Sequence, residues 1–174
     1  PEMTIGIFLL MLVASAVNIP LTKKKMVYQD QKLFWGLFRS PRIKVSGIGI
    51  NLGGAVIPLV ISAYFLFKAP LVPVLVATLL MILICKYLSR VVPGRGIALP
   101  ALIPPLFAAF IAFAVAPDFM APTAFISGVL GSLIGADLLN LKKARMLSEG
   151  FLSIGGAGVF DGIFLVGIIS ALLA

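Results

Sequence analysis

The sequence predicts an all-α polytopic membrane protein with six transmembrane helices and both termini outside, and three observations carry that prediction. Of 174 residues, 61% are hydrophobic and 11% charged, against about 45–50% and about 25% in a soluble domain. Six apolar runs approach the ~20 residues that a helix needs to cross a hydrocarbon core. All of the 14 basic residues except Lys68 fall on alternate loops or, for Lys86, in the last turn of the span leading into one, as the positive-inside rule requires of cytoplasmic loops. The chain reads as a single transmembrane domain over residues 1–174 in a plasma membrane.

The expected spans are 3–21, 46–67, 69–88, 97–116, 121–141 and 151–173. Each is continuously apolar, whereas a barrel strand alternates over about ten residues, so helices are expected. The first run has no basic segment ahead of it, and Lys23, Lys24 and Lys25 follow it. It is therefore expected to remain as a helix rather than act as a signal peptide. Met3 is a candidate native start, and the sixth helix is expected to close the chain.

Residues 22–45 form the one loop long enough to hold structure. Its Leu33-Phe34-Trp35-Gly36-Leu37-Phe38 run is flanked by basic residues, a pattern that places it in the membrane interface against lipid headgroups. The net charge of +8 is thus explained by topology, and nucleic acid is not needed as a partner. With no His and a single Cys, Cys85, the chain cannot build a zinc centre, a His-based triad, a haem pocket or an internal disulfide. No metal or cofactor is expected.

Of the six acidic residues, Asp137 and Asp161 lie inside apolar spans. A carboxylate in hydrocarbon costs roughly 2.5–3.5 kcal/mol even on insertion scales, so such a residue normally does work or finds a partner. At ~1.5 Å per residue, Asp137 lies about 6 Å from the cytoplasmic edge and Asp161 about 15 Å. Gly128, Gly131 and Gly135 share one helical face, as do Gly155, Gly158 and Gly162; such stripes favour close helix packing. Asp161 adjoins its stripe while Asp137 points away from its own, so the two stripes are expected to meet different helices if the aspartates act together.

Three readings follow, of which the first is the expected function, the second its alternative and the third the last. Two carboxylates around one water would perform aspartyl protease chemistry, one as general base and the other as general acid. A buried carboxylate is equally the usual coupling device of a proton- or cation-driven transporter. In the third reading the aspartates are satisfied by backbone or by Asn51 and Asn140, and the protein is structural. The run Gly47-Ile-Gly-Ile-Asn51-Leu-Gly53-Gly54 is expected either to line the vestibule of Asp137 as irregular backbone or to pack tightly ahead of a kink at Pro58. Pro100, Pro104 and Pro105 deny the fourth run a regular start, so it is expected to open extended or broken. Glycines weaken the helix likewise at 153–158.

Two resemblances attach to these residues. Gly155-Gly-Ala-Gly-Val-Phe-Asp161-Gly-Ile-Phe-Leu with Gly135-Ala-Asp137-Leu-Leu-Asn140-Leu resembles a bacterial and archaeal membrane family known as domain of unknown function 1614, over most of the chain. Asp137, Asp161 and Pro100-Ala101-Leu102 also resemble the working residues of presenilin-like GxGD intramembrane aspartyl proteases. That second likeness implies a catalytic pair, Asp137 and Asp161, with Pro100, Ala101 and Leu102 positioning a transmembrane peptide beside Gly156, Gly158, Asn51 and Asn140. The chain departs from the pattern: Val159 and Phe160 separate Gly158 from Asp161, no Tyr precedes Asp137, and Pro-Ala-Leu precedes both aspartates. In the transport reading the partner is a small ion, carried on Asp161. A homodimer that completes the vestibule is compatible with either.

Overall fold

The structure, a computed structural model, describes residues 2–22, 25–33, 38–92, 96–147 and 150–174. The chain is mostly helical but not all-α. Its helices are α1 (Glu2–Ala14), α2 (Ile57–Leu66), α3 (Leu71–Leu88), α4 (Ile103–Val115), α5 (Met120–Leu130), α6 (Leu141–Leu147) and α7 (Ala157–Leu172). The strands are β1 (Asn18–Pro20), β2 (Lys25–Leu33), β3 (Phe38–Asn51), β4 (Arg90–Val92), β5 (Gly96–Ala98) and β6 (Phe151–Ile154). Two stretches with wide π-type turns, Leu52–Val56 and Gly131–Asp137, join strand to helix and helix to helix.

The strands take the ends of the apolar runs that the hydropathy pattern assigns to helices. Gly47 and Gly49 alternate with Ile48 and Ile50; glycine costs a helix about 1 kcal/mol per residue, and β-branched side chains suit a strand. This end of β3 lies between β1, antiparallel with Ile19 opposite Ile50, and β6, parallel with Ile48 opposite Leu152. The first part of β3 pairs antiparallel with β2, from Lys25 opposite Ser46 to Leu33 opposite Phe38. The 22–45 loop is therefore a β-hairpin in its backbone, and residues 34–37 of its aromatic run lie outside the described residues. Prolines act as expected at α4: Pro100 follows β5, and Pro104 and Pro105 sit in the first helical turn, where no amide donor is needed.

Helix contacts fix a common polarity. Gly131 and Gly135 of the fifth run lie against Met81, Ile82 and Cys85 of α3, while Gly162 of α7 lies against Pro104 of α4. Gly128 of the first stripe, however, lies against Val166 of α7 and Ala108 of α4, so the two stripes have partly shared partners. The loops after α1 and α3 and before α7 gather at one end, joined by the β1, β3 and β6 pairings and by the Leu99 N–H that donates to the Gly158 carbonyl at 3.0 Å. The interior is built from small residues, including Ala55, Ala77, Ala108, Ala112, Ala124 and Ala136, while Leu79, Leu83, Phe110 and Phe113 are exposed. Small side chains let helix backbones approach closely. Two helices, Leu71–Leu88 and Pro117–Leu147, are long and apolar enough to cross a membrane; the other apolar helices span 10–17 residues.

Gly155 combines close packing with a left-handed backbone. Its φ of +67° is left-handed, and an added Cβ would stand 2.7 Å from the Gly54 backbone. A non-glycine residue in that conformation costs about 1–2 kcal/mol before any clash. Gly155→Ala is therefore expected to lower the thermal unfolding midpoint in detergent by several degrees, whereas Gly6→Ala, with nothing within 4 Å of its added methyl, leaves the midpoint unchanged or slightly raised.

Candidate functional site

The polar residues converge at the end where the strands gather. Asn51 closes β3 and caps the turn that follows: its Oδ1 accepts the Gly54 N–H at 2.7 Å, and its Nδ2 donates to the Ser15 carbonyl at 2.6 Å and to Asn18 Oδ1 at 3.1 Å. Ser153 donates its hydroxyl to the same Asn18 oxygen. Gly53 allows this turn to press on the carbonyl of Met11 at the end of α1, and Gly54 allows it to press on the carbonyl of Gly155. Each glycine stands where a methyl group would enter the neighbouring backbone.

Asp137 reaches the same place from the fifth run. The widened Gly131–Asp137 stretch ends at Asp137, which is 2% exposed, and its Oδ2 accepts the Gly155 N–H at 2.5 Å. Such stretches add a residue to the helical turn and frequently mark functional sites. The second oxygen, Oδ1, has no hydrogen-bond donor among the described residues. Asp137 lines a cleft of about 310 Å³ together with Ser15, Asn18, Asn51, Ser153 and Gly156. Carboxylate, amide, hydroxyl and backbone carbonyl oxygens make this an all-oxygen donor set, which suits protons and hard cations better than soft metals. Among the described residues no three His, Cys, Asp or Glu side chains cluster as a metal site.

The other residues singled out from the sequence divide. Asn51, Gly156 and Gly158 line the cleft with Asp137. Asp161 is exposed on α7 and is not part of the lining. Pro100 and Leu102 are exposed, and the Ala101 carbonyl packs under Gly162, so this tripeptide braces α7 instead of bordering the cleft. Asn140 is buried but turned toward the end of α3, where its Oδ1 accepts from Lys86 Nζ at 2.6 Å and its Nδ2 donates to Ser89 Oγ at 2.7 Å and to the Ala136 carbonyl at 2.9 Å. Lys86 also donates to the Leu139 carbonyl at 2.7 Å. Together these bonds clamp the chain just beyond Asp137.

Several contributors lay beyond the sequence reading. Ser15, Asn18 and Ser153 left a usable signal, because each is a polar residue near the same end of an apolar run. Gly155 left none that distinguished it from Gly156 and Gly158.

The sequence matches, over residues 12–173, the family described as protein of unknown function (DUF1614). The chain belongs to that family. No curated protein and no solved structure matches the chain. For this DUF1614 member, the residues of the cleft therefore carry the functional argument on their own chemistry.

The Asp137 bond separates charge from structure. In Asp137→Asn the side-chain oxygen still accepts the Gly155 N–H, whereas Asp137→Leu leaves that buried donor unmade, at about 1–3 kcal/mol. Asp137→Asn is expected to unfold within a degree or two of the wild type in a thermal scan, and Asp137→Leu several degrees lower. Equal destabilisation by both would show that the carboxylate charge, rather than the acceptor, holds α7 in place.

Proposed function

We propose that the protein is a six-helix integral membrane protein that binds a proton or a small hard cation at Asp137 and couples it to transport. The observation that carries this reading is a single buried carboxylate, with one oxygen held by a backbone N–H, in a polar cleft framed by three interrupted helices. Discontinuous helices that leave backbone carbonyls near a buried acid are the device by which transporters coordinate ions. Membrane placement is supported by the mean hydropathy of +1.17 and by outward-facing Leu9, Leu79, Leu83, Phe110 and Phe113. Lys86, Arg90, Lys142, Lys143 and Arg145 lie toward the cleft end and Lys68 lies at the other, so the cleft faces the cytoplasm under the positive-inside rule.

A presenilin-like peptidase is the second reading. Ala157 and Gly158 line the cleft, and Asp161 lies four and three residues further along α7 on that side of the helix. This chemistry needs both carboxylates around one water, so α7 would have to turn to bring Asp161 in. Transport needs Asp137 alone.

The two readings make opposite demands on Asp161. In proteoliposomes loaded with a pH- or Na⁺-sensitive dye, Asp137→Asn is expected to reduce gradient-driven flux to the level of protein-free vesicles, while Asp161→Asn leaves it unchanged. Cleavage of a transmembrane peptide that both substitutions abolish, without any flux, would replace transport with proteolysis. Topology is checked with single cysteines labelled by a membrane-impermeant maleimide in a Cys85→Ala background. Lys68→Cys should react from the outside of intact cells, and Lys143→Cys only after permeabilisation.

A further inference from the structure

At the end of the bundle opposite Asp137, α1, α2, α5 and α7 enclose a second cavity, of about 430 Å³. Its deep part is apolar, formed by Met11, Ile61, Phe125 and Gly167, while Thr4, Lys68 and Ala174 stand near the helix ends that form its mouth. At ~1.5 Å per residue, the stretch of α1 from Thr4 to Met11 runs about 10 Å. The cavity is thus apolar within and cationic at its rim, the polarity of an amphiphile lying along the bundle.

Lys68 supplies the charge. Its ammonium donates to the Tyr64 hydroxyl at 2.5 Å and lies 4.4 Å from the centre of that ring. Both partners are uncharged, so the positive charge is oriented without being neutralised by them. Tyr64, Phe67 and Phe119 are exposed around it, as aromatic side chains are at the boundary between hydrocarbon and headgroups. Ser170 and Ala171 of α7 complete the wall facing α1.

We infer that this cavity is a binding site for one anionic phospholipid, with its phosphate on Lys68 and an acyl chain between α1 and α7. The inference rests on the membrane placement proposed above and is independent of any chemistry at Asp137.

The test is native mass spectrometry of the full chain released from nanodiscs holding equal phosphatidylglycerol and phosphatidylcholine of matched acyl chains. The wild type is expected to retain one phosphatidylglycerol. A lysine near an anionic headgroup contributes about 1 kcal/mol, so Lys68→Gln should reduce the preference about five-fold while Lys68→Arg keeps it. Ala171→Trp, which fills the cavity, should remove the retained lipid. Equal retention of both lipids by the wild type overturns the inference, as does retention unaffected by Lys68→Gln and Ala171→Trp. A crosslinked dimer that buries Lys68 overturns it too, by assigning the cavity to a second copy. A vesicle flotation assay separates the readings. A chain that does not float with vesicles defeats both proposals, whereas one that floats and shows no lipid preference defeats this one alone.

Discussion

The hydrogen bond from the Gly155 N–H to the Asp137 carboxylate joins the two most irregular parts of the chain, and much of the local architecture depends on it. Gly155 stands between β6 and α7 in a left-handed conformation, where its amide points away from the helix that follows. In a chain this apolar there is little water to satisfy such a donor. Asp137 is delivered to it by the wide turns of Gly131–Asp137, and β6 is held at the right height by its parallel pairing with β3. Asn51 then ties the end of β3 to α1 and to the turn that leads into α2. Two of the amides at these interruptions, those of Gly54 and Gly155, are thus met by the side chains of Asn51 and Asp137.

The same logic explains why glycine and alanine occupy the interior. Helices that stop short must be fixed by close contact with their neighbours, and Gly53, Gly54, Gly155 and Gly158 each sit where an added methyl would meet foreign backbone. Many large side chains face outward, Leu79, Leu83, Phe110 and Phe113 among them, while Met11, Met81, Ile126 and Ile163 stay inside. A soluble protein of this size could not leave such a surface in water without associating. The polar groups are correspondingly concentrated at one end, while the opposite end holds an apolar cavity with a single lysine at its rim.

Parts of this were legible in the residues. The glycines at 47–54 and 153–158 and the prolines at 100–105 marked all three interruptions, because both residue types oppose helix locally. The partners of the two glycine stripes stayed open, because the opposite phases of Asp137 and Asp161 required separate ones only if the aspartates act together, and Gly128 meets α7 itself. The pairing of Gly47–Ile50 with Phe151–Ile154 was not legible: parallel strands about a hundred residues apart leave no local signature, and short apolar runs read as helix or strand alike. The direction of Asn140 was hidden for another reason. Projections assume 3.6 residues per turn, and one added residue rotates everything after it by about 100°. The wide turns before Asp137 therefore send Asn140 toward Lys86 and Ser89 rather than into the cleft.

That geometry gives one carboxylate two distinct oxygens. Oδ2 belongs to the fold through Gly155, and Oδ1 is left to the cleft. A proton or cation arriving at Oδ1 draws on the charge that also strengthens the bond at Oδ2, since hydrogen bonds to an ionised acceptor are about twice as strong as neutral ones. Neutralising Asp137 therefore weakens this bond without breaking it, beside a glycine able to adopt conformations on both sides of φ = 0. A second aspartate is not required for that coupling, and none lines the cleft among the described residues. In the transport reading, the bond that organises the fold is thus the one that occupancy would weaken, so ion binding and the position of α7 are linked through a single pair of atoms.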